Sequence, residues 1–333
     1  MRVRVGIVGF RGYSGAELVQ ILKRHAQVEP VLIEHRADSE ERPEPLNSRS
    51  SMRVACSAQA VADHAIKVVF LATPANVSME LAPAMLEAGA SVIDISGAFR
   101  LRTEQTFERW YKEKHTAANL LSQAVYGLPE MCRKQIAGAR LIANPGCYPT
   151  AANLAIQPLI AANAIDRSAG IVCDAKSGVS GAGRKPALRT SFCEVTENFS
   201  TYSVFNHRHV PEILMVSGVE ESELSFTPQL IPIERGILET IYFRTRFGAE
   251  QLLDIYQRRY PGEPFVRFYQ PGVFPDLRAV AHTNFCDIGL MVDQSSGRAM
   301  IVSAIDNLVK GAAGQAVQNM NLMLGYPETE GFL

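Results

Sequence analysis

Short apolar runs alternate with helical periodicities through the first half of the chain. Val3 to Val8 reads as a strand and feeds Gly9-Phe10-Arg11-Gly12-Tyr13-Ser14-Gly15. Behind that loop Leu18, Ile21, Leu22 and His25 recur at i, i+3, i+4, i+7, the period of a helix with one buried stripe. Val31–Ile33, Val68–Ala72 and Val92–Ile95 predict three more strands. An amphipathic helix from about Val77 to Ala88, closed by Gly89, separates the last two. Leu141–Ala143 predicts a further strand, running into the turn Asn144-Pro145-Gly146-Cys147-Tyr148-Pro149-Thr150. An alanine-rich helix follows, with Pro149 suited to its first position. Strands alternating with helices of this length predict a parallel sheet wound by right-handed crossovers.

After about residue 165 the pattern changes. Ile171–Ala175 is strand-like and opens into Ser177–Arg184, and Gly236 to Phe247 alternates apolar with polar residues as an antiparallel strand does. Strands are also predicted near 265–269, 285–292 and 298–305. Val309, Ala313, Ala316, Met320 and Met323 form one stripe of a last helix, starting at Asp306 and returning to the first domain. The predicted fold class is α/β: a Rossmann-type parallel-sheet domain plus an α+β domain with a mixed, largely antiparallel sheet for substrate and oligomerisation. Residues 1–146, completed by 306–333, make the dinucleotide-binding domain; 147–305 make the other. The polar stretch 37–53, with Pro43 and Pro45, reads as a surface loop.

Composition narrows the classes. Of 333 residues 47% are hydrophobic and 20% charged, with a net charge of −1, ordinary for a globular chain with a substantial core. Basic residues are scattered, which argues against nucleic acid. No apolar run approaches the ~20 residues of a membrane span. Six cysteines, without a C-x-x-C pair or close His/Cys spacing, read as reduced thiols in a cytoplasmic protein and imply no metal site.

Strand, glycine loop, helix is the context in which glycines let the backbone approach a dinucleotide pyrophosphate and a helix N-terminus meets its charge. The same arrangement also serves as a tight turn in other α/β proteins. Glu34 suits a ribose 2′-OH and Arg36 a 2′-phosphate, so NAD and NADP both stay open here. Gly9, Thr73, Ser96 and Cys147 all follow strand ends, where ligands of such sheets sit. Cys147, at or just before a helix N-terminus, is either a small buried hydrophobe or a thiol whose pKa the helix lowers. A thiolate beside a nicotinamide points to hydride transfer at a carbon held as thioester or thiohemiacetal. His207 and His209, with Glu212 soon after, supply candidate acid/base chemistry, a solvated loop, or half of a metal site. Ser177–Arg184 has the small and glycine residues of an anion nest, and Arg100 can fork onto phosphate or carboxylate.

These stretches, with Ser96–Leu101, Tyr126–Glu130, Asn144–Thr150, His207–Glu212 and Asp306–Gly311, resemble the N-acetyl-γ-glutamyl-phosphate reductase family, relatives of aspartate-semialdehyde dehydrogenase. The likeness runs over nearly the full length; Ala98 stands where those reductases often carry aspartate. The resemblance implies attack of Cys147 on an acyl phosphate, loss of phosphate, and reduction of the thioester by NADPH to a semialdehyde. Related acyl phosphates, aspartyl or aminoadipyl, are the alternative substrates; a non-catalytic dinucleotide sensor is the alternative class. His207 or His209 is implied as acid/base, with Glu212 orienting one of them. Gly9, Gly12, Tyr13, Ser14, Gly15, Arg36, Thr73, Ser96, Ser180, Gly181 and Asn307 are implied for NADP, the last reaching the nicotinamide amide. Arg100, Asn144, Ser177 and Arg184 are implied for substrate and phosphate. A homodimer or homotetramer is expected.

Overall fold

The computed structural model describes residues 2–35 and 51–332; Arg36 and most of the 37–53 stretch lie outside the described residues. The chain forms two compact units, Met1–Pro145 with Ala312–Leu333, and Gly146–Gly311. In the first, the strands are β1 (Val3–Val8), β2 (Val28–Glu34), β3 (Met52–Ala55), β4 (Val68–Leu71), β5 (Ser91–Asp94), β6 (Val125–Tyr126) and β7 (Leu141–Ala143). Their order is β3-β2-β1-β4-β5-β7-β6, every neighbouring pair parallel. β4, Val-Val-Phe-Leu, is buried along its whole length, as a strand covered on both faces must be. The strand order reverses between β1 and β4, which opens a crevice at their carboxyl ends.

The unit closes with the helix Gly314–Leu324, packed on the helices Tyr13–Arg24 and Pro129–Ala137. Its apolar stripe was expected to face the core, but Gln315, Gln318, Asn319 and Asn321 on its polar side are buried as well. Their amide nitrogens find partners. Gln315 and Asn319 both donate to Gly127 O, at 3.0 and 2.8 Å, and Asn321 Oδ1 lies 2.9 Å from His25 Nε2. A Cβ at Gly127 would lie 2.5 Å from Asn319 Nδ2, so the Tyr126–Glu130 motif serves this packing. The helix begins later than its predicted start at Asp306: Val309–Ala313 is a π-helical turn, and Asp306 Oδ1 takes the N–H groups of Leu308 and Val309.

The second unit carries β8 (Ile171–Gly178), β9 (Ser200–Thr201), β10 (Leu224–Ile231), β11 (Ile237–Arg244), β12 (Val266–Phe268), β13 (Cys286–Asp293) and β14 (Arg298–Ile305). The order β12-β13-β14-β11-β8-β10-β9 is mixed, with β12–β13 and β8–β10 parallel and the other pairs antiparallel. β10 had no counterpart in the sequence reading. Pro228 interrupts its alternation, and the strand tolerates it because only the two-residue β9 lies beyond.

Against β11, β13 and β14 lies the helix Cys147–Ala161, alanine-rich and buried almost throughout. Small side chains let neighbouring elements approach its backbone closely. Pro158 has no N–H for the carbonyl of Leu154, four residues back. The Tyr260 hydroxyl donates to that carbonyl at 2.9 Å, and Tyr256 does the same for Ala155. Among the described residues no helix is long and apolar enough to cross a membrane.

Removing the Tyr260 hydroxyl orphans a buried carbonyl that no backbone donor can reach. Tyr260→Phe should cost about 1–3 kcal/mol in urea unfolding; an unchanged midpoint would show the Leu154 carbonyl satisfied elsewhere.

Candidate active site

The first unit builds a cradle where β1 ends. Gly9 has φ +80°, and a Cβ there would lie 2.2 Å from Ala72 O; one at Gly15 would lie 2.2 Å from Gly9 O. The loop is therefore held so close to β4 and to itself that only glycine fits. The helix Tyr13–Arg24 starts from Gly12, which has no capping side chain, and its first turn holds no acid. The N–H groups of Tyr13, Ser14 and Gly15 thus precede the first intrahelical bond, Ala16 N to Gly12 O, and suit an anion. A pocket opens here, lined by Gly9, Phe10, Arg11, Gly12, His35, Thr73 and Pro74 among others, at the ends of β1, β2 and β4. Thr73 shares a hydrogen bond with Ser78, 2.9 Å between hydroxyls. Glu34 sits at the end of β2 and takes Arg11 at 3.2 Å and Arg53 at 3.3 Å. Arg11 also lies over the Phe10 ring, 4.5 Å from its centre. These residues fit a dinucleotide: an uncapped helix end for the pyrophosphate, a carboxylate with two guanidiniums for the ribose. Sequence reading missed Arg11 and Arg53, since neither stands in the expected position after β2.

Three residues expected at the site make hydrogen bonds to turns of this unit. Arg100 is 7% exposed and donates from Nε to Asn144 O and from Nη2 to Ile95 O, both at 2.8 Å. Asn144 is fully buried: its Nδ2 donates to Ala312 O at 3.0 Å and its Oδ1 accepts from Asn319 at 3.0 Å. Ser96 donates its N–H and hydroxyl to Asp94, whose carboxyl burial pushes up against the pull of Ser78, Ser96 and Arg100.

In the second unit Cys147 is the first residue of its helix and Gly146 the N-cap, which displaces Pro149 from the predicted first position to the third. That still lies in the turn where a missing N–H costs nothing. A glycine cap has no side chain to answer the orphan donors. Glu212, fully buried, supplies the acceptor from another helix, taking the Gly146 N–H at 2.9 Å. Glu212, expected to orient a histidine, also braces the cysteine turn through this bond. Gly311 closes the other side, where a Cβ would lie 2.7 Å from the Cys147 Cβ.

Tyr148 follows the cysteine into the core, and both histidines pack on its ring, His207 at 5.5 Å and His209 at 6.0 Å between centroids. Its hydroxyl meets that of Tyr202 at 3.2 Å, and burial, then Tyr202, push its pKa far up, so it stays a neutral phenol. The histidines differ. Burial, then Arg208, bring His207 down to about 3, and its Nδ1 accepts the His209 N–H at 3.1 Å. An imidazole accepting at Nδ1 is neutral and carries its proton on Nε2. His209 caps the helix Val210–Ser217 and is equally buried.

The expected anion nest is closed at its start: the N–H groups of Gly178, Val179 and Ser180 donate to carbonyls of Gly236, Ile233 and Glu234. Ser177 donates its hydroxyl to Gly178 O, and Gly181 begins an exposed stretch that includes Arg184. Asn307 donates to Ser180 Oγ at 3.0 Å and accepts from the Gly236 N–H at 2.6 Å, which fixes its carboxamide within this unit. Among the described residues no group of His, Cys, Asp and Glu is placed to hold a metal.

The switch-point cradle of the first unit has the features of a nicotinamide-dependent oxidoreductase's cofactor domain, and the second unit, taken by itself, carries a thiol at a helix N-terminus. Residues 4–139 match the family model described as "Semialdehyde dehydrogenase, NAD binding domain", and 147–307 the one described as "Semialdehyde dehydrogenase, dimerisation domain". The N-acetyl-gamma-glutamyl-phosphate reductase of Symbiobacterium thermophilum is 46% identical over 342 residues, covering 100% of this chain and 98% of the relative. That of Pelotomaculum thermopropionicum is 46% identical over 99% of this chain and 98% of its own. Among solved structures, aspartate semialdehyde dehydrogenase II of Vibrio cholerae, complexed with ASA, shares the fold at 19% identity. Its TM-score is 0.72, over 98% of this chain and 99% of that one. The chain belongs to the semialdehyde dehydrogenase family and, within it, to the N-acetyl-γ-glutamyl-phosphate reductases.

A neutral buried His207 leaves a mark on stability. Its folded pKa, about 3, lies below the ordinary 6.5, so its contribution is complete above pH 6.5 and is lost as pH falls toward 3, where the unfolded chain alone binds the proton. Between pH 7 and 5 the parent should lose about 2 kcal/mol more than His207→Gln in urea titrations; equal losses would mean the ring is charged when folded.

Proposed function

We propose that this chain reduces N-acetyl-L-glutamyl 5-phosphate to N-acetyl-L-glutamate 5-semialdehyde with NADPH, releasing phosphate, in arginine biosynthesis. The observation that carries the reading is Cys147 at the first position of a buried helix, its cap held by Glu212 and its neighbour Tyr148 packed by both histidines.

His209 takes the thiol proton, and the Cys147 sulfur attacks the acyl carbon. The C–O bond to phosphate breaks, leaving a thioester. The dinucleotide, when bound, supplies hydride to a carbon at that oxidation level. Protonated His209 then stabilises the oxygen of the thiohemiacetal, the C–S bond breaks, and the aldehyde leaves with the thiolate restored. His207 positions His209 through the Nδ1 contact, because a ring held near pKa 3 is a poor base at neutral pH. Glu212 holds the turn; Arg184, exposed at the end of its loop, is assigned to the leaving phosphate. Arg11 and Arg53 support the choice of NADPH, since a 2′-phosphate would share the two guanidiniums with Glu34.

The chain acts as a homodimer in the cytoplasm. On the face of the second sheet away from the Cys147 helix, Val172, Tyr242, Met300 and Met291 stand side by side across β8, β11, β14 and β13. Val172, Tyr242 and Met291 are exposed, a row that suits a second copy of the chain.

N-acetylglutamyl phosphate should drive NADPH oxidation far faster than aspartyl phosphate; equal or reversed rates would sink the substrate assignment. Cys147→Ala should abolish turnover while dinucleotide binding survives, and His209→Asn should cost ~10²–10⁴-fold in kcat, much more than His207→Asn. A reversed histidine order overturns the assignment of the base. Arg11→Ala should raise KM for NADPH and leave that for NADH almost unchanged; parallel rises would remove Arg11 from the 2′-phosphate.

A further inference from the structure

N-acetylglutamyl phosphate carries two anionic groups: the acyl phosphate that reacts, and an α-carboxylate at the other end of its carbon chain. A site that held only the first would accept many acyl phosphates of similar width. Apolar contacts discriminate weakly between such molecules, whereas a charge that must be matched discriminates strongly. The second unit therefore needs a cation near the Cys147 turn that the protein does not already engage.

Most of its arginines are engaged. Arg167, Arg235, Arg258, Arg267 and Arg298 each pair with a carboxylate of the same unit, between 2.5 and 3.2 Å. Arg189 donates to Thr201 O at 3.2 Å and lies over the Tyr202 ring at 4.6 Å. Arg208 is different. Among the described residues no hydrogen bond or ion pair engages it, and it is exposed between two buried histidines. The turn accounts for that alternation. The His209 N–H donates to His207 Nδ1 at 3.1 Å and the Val210 N–H to His207 O at 2.9 Å. Both imidazoles fold inward onto Tyr148, and the residue between them is left to solvent with its full charge and five donors.

That charge is felt inside the ring cluster. Burial raises the pKa of the Tyr202 phenol and the Tyr148 hydroxyl opposes this; Cys147 adds to the rise, and Arg189 and Arg208 pull it back. One phenol, 3.2 Å from the Tyr148 hydroxyl, thus lies within electrostatic reach of both the sulfur and the Arg208 guanidinium. Arg208 also acts, after burial, on His207. Glu212, the nearest acid along the chain, is fully buried and takes the Gly146 N–H.

Taking N-acetylglutamyl phosphate as the substrate, we infer that Arg208 is the specificity residue that binds its α-carboxylate while the acyl carbon lies at Cys147. A guanidinium offers a carboxylate two parallel N–H donors, a fork that a lysine cannot reproduce. The phosphate departs when the thioester forms, but the carboxylate stays through both half-reactions. A cation on the carboxylate therefore holds thioester and thiohemiacetal in one orientation, and rejects acyl phosphates that lack the group.

The parent, Arg208→Gln and Arg208→Lys are assayed with N-acetylglutamyl phosphate and with 4-acetamidobutanoyl phosphate, the same molecule with hydrogen in place of the α-carboxylate. In the parent, loss of the carboxylate should lower kcat/KM by about 10- to 100-fold. Arg208→Gln should lose a similar factor on the full substrate, chiefly through KM, and almost nothing on the truncated one. Arg208→Lys should recover part of the loss, since it restores the charge without the fork. Equal losses on both substrates overturn the assignment, because Arg208 would then act on the phosphate or through His207. Unchanged kinetics in Arg208→Gln, or a parent indifferent to the carboxylate, overturn it as well. A parent inert toward N-acetylglutamyl phosphate but active on aspartyl phosphate would instead indict the substrate on which the assignment rests.

Discussion

A helix that begins inside a protein must have its first N–H groups answered, and the helix Cys147–Ala161 begins on a glycine that has no side chain to do it. Glu212 answers for Gly146 from a different helix. The consequence reaches past one hydrogen bond. A small cap leaves the first turn open to whatever approaches the thiol, whereas a serine or aspartate cap would occupy the positive end of the helix itself. The carboxylate behind the turn and Gly311 beside it then fix the sulfur's backbone in one place. A nucleophile is useful when its carbon skeleton cannot retreat, and close packing on glycine is a direct way to ensure that.

The same logic, close approach through missing side chains, runs the first unit. Gly9 and Gly15 put backbone against backbone, and Gly127 lets two amides of the closing helix meet one carbonyl. The buried amides there are specific where a greasy stripe would not be. Asn319 bonds both Gly127 and Asn144, so the register of the last helix is tied to the turn that ends this unit. In the second unit the buried polar groups do different work. Tyr260 completes a helix ladder that Pro158 leaves short of a donor, Tyr256 adds a second bond to the Ala155 carbonyl, and burial keeps the Tyr148 and His207 rings neutral.

The division of labour between the histidines follows from where one proton can sit. His207 accepts from its neighbour's backbone at Nδ1 and cannot do so when doubly protonated. Burial and Arg208 push in the same direction. Two residues that look interchangeable in His-Arg-His therefore sit in different hydrogen-bonding situations, and the proposed mechanism gives them separate roles.

Local pattern was enough to read much of this chain. The strand–glycine–helix start, the alternation of β11 and the thiol at a helix N-terminus are all properties of neighbours within a few residues, and period and turn chemistry report them directly. β10 escaped because Pro228 broke its alternation, and its acceptance as a near-edge strand is decided by what lies beyond it. Arg100, Asn144 and Glu212 were legible as polar residues in motifs, but their partners are 44, 168 and 66 residues away. Composition and spacing show that a buried polar side chain needs a partner; they do not show which one folding brings. The sequence by itself determined the class of chemistry, since that depends on residue types. Only the tertiary structure decided which partner each of those residues takes, since that depends on where folding brings the other half of each hydrogen bond.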